Sequence, residues 1–482
     1  DGDGTHVNVN QTRITLSNEG LVRQLFELGV GLGHAPAMKP EYMPANATAR
    51  PWSITLGGKP MYVRDGAYLV ESVEPVEGVT TVYNLEVEED NTYVANGVVV
   101  HNCFVLPVED SLAGIFQTLK ESALIHQCLA GDTLIMTDRG LVPIRDAVDA
   151  FLVDTEAGQL PMTHHWVKGR QAIFEVRTSH GHLIRATAEH RLLAVARGGE
   201  FEWRRVRELS PGDWLVLSTG RWLGSETGLR PFTPAPPKVV PGGFRRKPID
   251  LPTALTDELA ELVGLYMGDG SNSRWGIRFT GNREEIERIR FLAKAAFGLD
   301  PTVCRHKNIW EASILRLDLK EWWSTQGFVK RSSLDAVVPE AMLRGPESCA
   351  RAFIRGLFGA DGCARTSGHI TLSTSSTALA RQIPVLLFHL GVACRVSALK
   401  RREGGYQVSV GSKRGFEVFR EKIGFGLPSK DNRLERVGPY EIFVRGERIP
   451  NQEEPLKAWI HTLDGEGRRL ALMTLRGPIW SG

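Results

Sequence analysis

The chain has 482 residues, 42% hydrophobic and 24% charged, which excludes wholesale disorder and allows about three or four domains. A net charge of +2 excludes a strongly basic chain but permits nucleic-acid binding by a local patch. The six cysteines include no C-x-x-C pair, and there is neither an apolar run of about 18 residues nor a signal peptide. These features argue against a disulfide scaffold and a structural zinc site, and they predict a cytoplasmic protein with no membrane partner.

The beginning of the chain repeats a later segment. Four short matches connect residues 1–40 with residues 361–400 in the same order. Ordered self-similarity indicates a repeated structural unit. We therefore predict that residues 1–50 are the truncated remnant of a domain whose fuller copy lies further along, and that the chain is a fragment. The matched pairs are 3–4 with 361–362, 14–17 with 370–373, 23–24 with 381–382, and 28–30 with 390–392.

Residues 51–102 alternate β-branched and aromatic side chains with turn residues, which predicts short strands of an all-β module. They lead into His101, Asn102 and Cys103. An Asn amide can attack its own backbone carbonyl, a neighbouring His can protonate the leaving group, and a thiol is a nucleophile. The triplet resembles the C-terminal splice junction of an intein, whose splicing module is an all-β Hint domain. The resemblance implies that Asn102 cyclises to a succinimide and releases the chain at Cys103, assisted by His101.

Two upstream positions depart from the intein pattern. The family often has Asp where Asn84 stands and His where Asn91 stands. Both usual groups can transfer protons, so His101 is the one evident acid/base group here. We expect slow C-terminal cleavage, or help from a residue elsewhere. The alternative to a splice junction is that Asn96-Gly97 and His101-Asn102 are ordinary turn residues.

Residues 103–127 differ in sequence pattern from the strand-like segments on both sides. An extended apolar run follows Cys103, and Asp110 and Ser111 can cap a helix. The segment resembles class II, adenosylcobalamin-dependent ribonucleotide reductase, in which a Cys before Phe-Val-Leu-Pro belongs to the active-site redox pair. This resemblance gives Cys103 a second role after splicing, and it implies adenosylcobalamin and a ribonucleotide substrate for the mature host enzyme only. The alternative is that any host segment needs a nucleophile here.

A second junction pattern begins at Cys128, and strand-like texture continues over residues 128–225. Cys128 would attack the carbonyl of Gln127 and turn an amide into a thioester, which needs activation because a free thiol has a pKa of about 8.5. The ordered set of Cys128, Thr187 and His190 resembles the N-terminal part of an intein with its T-x-x-H motif. The resemblance implies that His190 protonates the departing nitrogen, that Thr187 polarises the scissile bond, and that the flanking extein segments are the partners.

The region after the second junction changes composition. Residues 226–252 are rich in Pro and Gly, which predicts a linker. Helical patterns mixed with short strands then fill residues 253–430. Residues 431–482 have weak periodicity and are not assigned. They are either a DNA-binding segment or the start of a C-terminal Hint part.

Two apolar segments within 253–430 share one pattern, LVGLYMGDG at 262–270 and IRGLFGADG at 354–362. Small residues four apart lie on one helix face, so two such helices could touch along a seam that ends at Asp269 and Asp361. Two close carboxylates need a divalent cation, and Mg²⁺ suits oxygen ligands. Both segments resemble the signature of LAGLIDADG homing endonucleases. The resemblance implies an α+β fold, double-stranded DNA as a partner, and Asp269 and Asp361 as catalytic, metal-binding residues.

Basic residues of the same region could face DNA phosphates, although such charge runs are more often a solvated face. Met267 and Gly359 stand where the family often has an acidic residue, and no basic residue stands directly before Val338, where the family often has one. The basic candidates are 400–402, 413–414, Arg278, Arg283, Arg288 and Arg290.

The patterns together predict a multidomain chain of all-β Hint modules plus an α+β LAGLIDADG endonuclease domain. It would carry the end of one intein (1–102), a host segment (103–127) and most of a second intein (128–482). The predicted activities are protein splicing and Mg²⁺-dependent cleavage of double-stranded DNA. Two alternatives remain open: a catalytically inactive relic that only binds DNA, and a Hint domain that cleaves itself without splicing.

Overall fold

The computed structural model of the chain describes only part of its length. No helix among the described residues is long and apolar enough to cross a membrane. Asn102, the predicted host segment 103–127 and the stretch 438–482 lie outside the description. The described ranges are 3–8, 11–16, 37–40, 52–56, 65–88, 92–101, 128–155, 158–196, 201–218, 221–234, 249–306, 309–399 and 404–437.

The first described strands form a four-stranded antiparallel sheet. They are β1 (Asp3–Asn8), β2 (Gln11–Leu16), β3 (Ala37–Pro40) and β4 (Trp52–Leu56). Their order in the sheet is β1-β2-β4-β3, and two sheets near the other end of the chain have the same order of first, second, fourth and third strand. Ile14 lies in the second strand here, as its sequence match Ile370 lies in the second strand of the last sheet. The repeated strand order agrees with the internal repeat in the sequence.

The middle of the chain forms one antiparallel sheet of fourteen described strands, the central sheet. Four of its strands precede residues 102–127 and ten follow them. Short 3-10 helices lie at Ile144–Asp149 and Val206–Glu208. The strands are β5 (Asp65–Pro75), β6 (Thr80–Val87), β7 (Thr92–Ala95), β8 (Val98–His101), β9 (Leu129–Ala130), β10 (Leu134–Thr137), β11 (Gly140–Pro143), β12 (Leu152–Asp154), β13 (Gln159–Gln171), β14 (Phe174–Thr178), β15 (Leu183–Ala186), β16 (Arg191–Val195), β17 (Phe201–Arg205) and β18 (Trp214–Ser218).

Strands from before and after residues 102–127 interleave within the central sheet. β5 lies between β14 and β18, and β6 lies between β13 and β9. β7 pairs with β10, and β8 pairs with β16 and β18. Side chains of both parts share one core, in which Leu85 and Val100 pack with Ile184 and Leu217. Because each earlier strand has a later strand as a partner, the ladder hydrogen bonds of either part depend on the other.

Most of the remaining described residues, those within 249–437, form a mixed region that we call the helical domain. Two halves repeat the order helix, two strands, helix, two strands, helix, and each half contains one four-stranded sheet. Two further helices, 340–344 and 428–436, stand outside this repeat. A 3-10 turn lies at Ser333–Asp335. The elements are α1 (Asp257–Asp269), β19 (Gly270–Asn272), β20 (Ile277–Gly281), α2 (Arg283–Phe297), β21 (Thr302–His306), β22 (Ile309–Ile314), α3 (Leu317–Thr325), α4 (Glu340–Arg344), α5 (Glu347–Asp361), β23 (Gly362–Ala364), β24 (Ile370–Thr374), α6 (Thr377–His389), β25 (Arg395–Ala398), β26 (Tyr406–Val410), α7 (Lys413–Lys422) and α8 (Pro428–Arg436).

Helices α1 and α5 pack against each other along glycines. A Cβ atom on Gly264 would overlap the carbonyl oxygen of Phe353, and one on Gly356 would overlap that of Glu261. Further along, a Cβ atom on Gly268 would overlap the methyl group of Ala360. The backbones therefore touch where the sequence predicted a small-residue seam.

Adding a methyl group at the seam should force the two helices apart. We expect Gly264→Ala or Gly356→Ala to lower the free energy of unfolding by roughly 3 kcal/mol, because the obstacle is backbone that cannot rotate away. Gly228→Ala is the matched control, since its Cβ atom would meet nothing within 4 Å and the change should stay within about 0.5 kcal/mol. Urea unfolding measures all three, and a neutral G264A or G356A would contradict the tight seam.

The helical domain packs directly on the central sheet. Phe388, near the end of α6, lies in the hydrophobic core of the sheet, with its ring centroid 6.0 Å from Tyr68 and 5.1 Å from His182. The Val396 backbone N–H donates to the His180 carbonyl at 2.8 Å. Burial lowers the pKa of His182 to about 3, so this ring is neutral at pH 7.

Part of the predicted linker is folded onto the helical domain. The Glu226 backbone N–H donates to the Arg344 carbonyl at 3.0 Å, and the Leu229 N–H donates to the Thr253 carbonyl at 2.9 Å. The Arg230 N–H donates to the Gln326 side chain at 2.8 Å. Residues 226–234 thus continue the fold, which composition could not indicate, while residues 235–248 lie outside the description.

Candidate functional site

Two carboxylates meet at one end of the seam between α1 and α5. α1 ends at Asp269 and α5 ends at Asp361, and each is followed by a glycine at the helix cap. Asp361 lies so close to α1 that a Cβ atom on Gly268 would be 3.2 Å from Asp361 Oδ2. Both side chains reach solvent, although protein crowds their other sides. The helix ends bring together the two aspartates that the sequence singled out.

The electrostatics of this pair favour a bound cation. Burial raises the pKa of Asp361 to about 6, and the nearby charge of Asp269 adds to the shift. Burial also raises the pKa of Asp269. Carboxylates that are crowded and close to a like charge gain from a counter-ion between them.

Two lysines that the sequence analysis missed complete the cluster. Lys330 is buried, and its ammonium donates to the carbonyl oxygens of Met267, at 2.7 Å, and Gly268. Burial lowers the pKa of Lys330, while the charges of Asp361 and Asp269 act in the opposite direction. A lysine therefore does reach the site, from a position eight residues before Val338 rather than directly in front of it.

Lys430 takes the equivalent place in the second half. It lies in α8, and its ammonium donates to the carbonyl oxygens of Gly359 and Ala360, the latter at 3.1 Å. Each lysine thus contacts the two carbonyls that precede an aspartate, one lysine for each helix. The sequence carried only a weak signal for either lysine, because both lie more than 60 residues beyond their aspartate.

The residues present fit a hard divalent cation such as Mg²⁺ but supply few ligands for it. Asp269 and Asp361 offer carboxylate oxygens, which Mg²⁺ prefers. Among the described residues, no group of three or more His, Cys, Asp or Glu side chains is placed to hold a metal ion. A cation here would therefore complete its coordination with water or with oxygens of a bound partner, as Mg²⁺ commonly does.

The raised pKa of Asp361 predicts a pH-dependent stability in the absence of metal. The folded protein binds more protons than the unfolded chain between the ordinary carboxyl value of 3.8 and the folded value of about 6, so stability should fall as pH rises through this window. Asp361→Asn should remove most of this fall, because asparagine does not titrate. It should raise the free energy of unfolding at pH 7 by only on the order of 1 kcal/mol, because solvent screens the exposed carboxylate. Urea titrations in EDTA measure the effect. Parallel pH profiles for both proteins would contradict it.

Three of the predicted phosphate-facing arginines are held in ion pairs, and the first of them, Arg278, lies 3.7 Å from Glu311. Arg288 makes two hydrogen bonds to the buried Glu261, at 2.6 and 2.7 Å. Arg290 contacts Asp300 through two hydrogen bonds of 2.8 Å. The partners of these guanidinium groups are therefore carboxylates within the domain.

A second candidate site surrounds Cys128 in the central sheet. Cys128 is buried, and its backbone N–H donates to Thr187 Oγ1 at 3.0 Å. The Thr187 N–H donates to the Cys128 carbonyl at 2.9 Å. His190 is also buried, and its N–H donates to the Thr187 carbonyl at 3.1 Å, which closes a tight turn. Residues 59 positions apart thus meet as the T-x-x-H pattern suggested.

His101 reaches the same end of the sheet through a hairpin. β7 and β8 are joined by Asn96 and Gly97, whose φ angles of 49° and 82° suit a type I′ turn. Asn96 also accepts the Leu134 N–H and donates to the Leu183 carbonyl, both at 2.8 Å, which fixes the turn between two later strands. His101 ends β8, with its ring edge-on to Trp203 at 5.1 Å.

Asn84 is buried beneath this hairpin. Its Oδ1 atom accepts a hydrogen bond from the Tyr93 hydroxyl at 3.0 Å. An amide here makes a neutral hydrogen bond and cannot exchange a proton near neutral pH. Asn91, Asn102 and Cys103 lie outside the described residues.

Comparison with known proteins finds a family match for one stretch of the chain. Residues 348–424, which include α5 and Asp361, match the family described as LAGLIDADG-like domain. The chain is 28% identical over 332 residues to the replicative DNA helicase DnaB of Rhodothermus marinus, covering 62% of this chain and 32% of that protein. It is 24% identical over 347 residues to a DNA gyrase polypeptide of Mycobacterium kansasii, covering 65% and 57%. The DNA polymerase of Thermococcus hydrothermalis is 31% identical over 259 residues, covering 49% and 14%.

The chain spans about a third of the length of the first two curated helicase relatives, 32% and 36%. Among solved structures, variants of the homing endonuclease I-DmoI are similar at 19% identity and a TM-score of 0.28, covering 35% of this chain and 90% of that one. The homing endonuclease I-WcaI bound to its DNA recognition sequence is similar at 15% identity and a TM-score of 0.29, covering 37% and 85%.

Proposed function

We propose that the helical domain is a Mg²⁺-dependent endonuclease of double-stranded DNA. The observation that carries this proposal is the meeting of Asp269 and Asp361 at the end of a glycine seam, with one lysine held behind each helix end. The LAGLIDADG-like match over residues 348–424 supports it. A structural role alone would not require two crowded carboxylates at this point.

The side chains of the cluster have separable roles. A divalent cation bound here would lower the pKa of an attacking water and neutralise phosphate charge. Asp269 and Asp361 would hold and orient that cation. Lys330 and Lys430 add fixed positive charge where negative charge develops on phosphate oxygens.

The small sheets of the helical domain offer a surface for DNA. In β20 the side chains alternate, with Ile277 and Phe279 buried and Arg278 and Thr280 exposed. In the second half, Arg395 of β25 is exposed. Strands with one exposed polar face can enter the major groove, which is about 12 Å wide, and read base edges there. The proposed partner is therefore duplex DNA read by strand side chains.

We also propose that the central sheet is a Hint-type splicing module. Thr187 accepts the N–H of Cys128 and so lies at the peptide bond that a Cys128 thiol would attack. The nearby His190 and His101 are the proposed proton donors at the two junctions, with Asn102 and Cys103 as the reacting residues of the first. Because residue 84 is Asn84, the reaction at Asn102 lacks the carboxylate that the family often has at this position.

The relatives support an inserted element rather than a helicase, gyrase or polymerase. The relatives are proteins of different activity, yet the helicase and gyrase relatives match 62% and 65% of this chain. A shared host activity would not connect such different proteins, whereas a shared insert would. The adenosylcobalamin-dependent reductase as host of residues 103–127 stays a prediction.

Two assays test the proposals separately. If residues from Cys128 onward are an insert, the DNA that it entered encodes the residues that precede Cys128. The test DNA is therefore a pool of duplexes. Each has that coding sequence on one side of the insertion point and random base pairs on the other. Cleavage in Mg²⁺ but not in EDTA supports the endonuclease, while binding without cleavage supports the inactive relic. Release of residues 1–127 by added thiol supports a thioester at Cys128, and an unchanged intact mass contradicts it.

A further inference from the structure

The two lysines of the carboxylate cluster have different electrostatic surroundings. Glu285, a buried carboxylate of α2, lies 3.6 Å from the Lys430 ammonium. The Lys330 ammonium contacts two carbonyl oxygens, and it forms no ion pair within the part of the chain that the structure describes. The charges of Asp269 and Asp361 act on both lysines and so do not distinguish them. One lysine therefore has its charge offset by a further carboxylate, and the other does not.

The capping of α2 fixes Glu285 in this place. The side chain of the N-cap residue Asn282 accepts the Glu285 N–H at 3.0 Å, and Glu285 Oε2 accepts the Asn282 N–H at 2.8 Å. These two hydrogen bonds form a capping box. α8 packs on the same end of α2, because the Ser429 N–H donates to the Glu284 carboxylate at 2.7 Å. One oxygen of Glu285 thus caps the helix, while the other, Oε1, faces Lys430.

The second half of the domain has an apolar residue in the equivalent position. There α6 corresponds to α2, since each helix follows the first two strands of its half. Its N-cap residue Ser376 accepts the Leu379 N–H at 3.1 Å, so Leu379 stands three residues after its N-cap, as Glu285 does. Leu379 is buried. The segment that follows Lys330 meets this helix, because the Ser376 hydroxyl donates to the Ala336 carbonyl at 2.6 Å. The repeat therefore has a leucine on the Lys330 side and a carboxylate on the Lys430 side.

We propose that Glu285 makes the two halves unequal, so that the DNA strand beside Lys430 is cut more slowly than the strand beside Lys330. The inference rests on the proposed endonuclease function and concerns the order in which the two strands are cut. Glu285 is a positioning residue here, because it is buried and acts through Lys430. Cleavage would pass through a duplex that is nicked in one strand.

The reason for unequal cutting is electrostatic. Negative charge develops on the phosphate oxygens in the transition state, and fixed positive charge nearby stabilises it. A carboxylate close to an ammonium cancels much of the field that the ammonium exerts further away. Lys430 therefore stabilises its phosphate less than Lys330 does. Glu285 also attracts cations, so the comparison is made at saturating Mg²⁺, where cation occupancy limits neither strand.

Glu285→Gln tests the inference, because glutamine can keep the capping box but has no charge. The substrate is a duplex selected from the random pool and labelled in each strand. We expect the wild type to accumulate nicked duplex and to cut one strand roughly 10-fold faster than the other. E285Q should speed the slower strand until the two rates are nearly equal. Glu287→Gln is the matched control, since Glu287 lies on the same helix but pairs with Arg290, and it should keep the wild-type ratio.

Lys430→Met identifies the strand that Lys430 serves. It should slow the slower strand further and leave the faster strand nearly unchanged. Selective slowing of the faster strand would overturn the inference, as would equal cutting of both strands by the wild type or an equal effect of E285Q on both. Absence of any Mg²⁺-dependent cutting would instead refute the proposed endonuclease itself.

Binding without cleavage gives a second measure. A methylphosphonate at the cleaved linkage removes the charge of that phosphate, and gel shift in Ca²⁺ measures the resulting loss of affinity. For the wild type we expect a larger loss when the neutral linkage lies in the faster strand. E285Q should lose affinity equally for the two strands. Equal losses in the wild type would overturn the inference even where the endonuclease is active.

Discussion

Replacing Asp269 or Asp361 with Asn should abolish DNA cleavage, by roughly 10³-fold or more. Each change removes one of the two carboxylates at the seam end but keeps the side-chain volume, so α1 and α5 stay packed. The cation contributes several kcal/mol of charge stabilisation in reactions of this type, and about 1.4 kcal/mol corresponds to a factor of ten in rate. The loss should appear in the cleavage step and leave DNA binding within a few-fold of the wild type.

Single-turnover cleavage of a selected duplex measures the effect, with binding followed by gel shift in Ca²⁺. Asp300→Asn is the matched control, because Asp300 contacts Arg290 on the surface of α2 and lies outside the cluster. It should cleave at the wild-type rate. Persistent cutting by both D269N and D361N would show that the site assignment is wrong.

Cys128→Ala should eliminate thiol-dependent release of residues 1–127. Alanine has no nucleophile, and it is smaller than cysteine, so it fits the buried position without a clash. Thr187→Val should slow release by roughly 10²-fold, because it keeps the side-chain shape but removes the oxygen that accepts the Cys128 N–H at 3.0 Å.

Intact mass against time after addition of thiol measures both effects. The control is Cys304→Ala, which removes an exposed thiol of β21 in the helical domain and should leave the release rate unchanged. Equal rates in T187V and wild type would leave Thr187 with a purely structural role. Release from C128A would place the labile bond elsewhere.

The features that sequence predicted well are those set by local spacing. Small residues four apart on a helix have to lie on one face, so the seam and the meeting of Asp269 and Asp361 followed from two nine-residue segments. The strand texture likewise indicated a β-rich middle. Thr187 could be linked to Cys128 only through a resemblance to a known motif, because nothing in a separation of 59 residues predicts contact.

What the sequence could not indicate depends on tertiary packing. Lys330 and Lys430 enter the cluster from elements far along the chain, and neither has a local pattern that separates it from a surface lysine. Arg288 looked like a candidate for phosphate until Glu261, buried on α1, proved to be its partner. The interleaving of β5–β8 with later strands is a matter of pairing, and the alternation within each strand is the same whichever partner it takes.

The ring of Phe388 makes the core of the central sheet depend on the helical domain. It belongs to the helical domain but fills space among Tyr68 and His182 in the core of the central sheet. Loss of a buried phenylalanine typically costs about 3–5 kcal/mol. A lineage that deleted the helical domain would leave an open cavity in the remaining sheet. Loss of the helical domain in descendants of this chain should therefore be accompanied by larger side chains at positions 68 and 182.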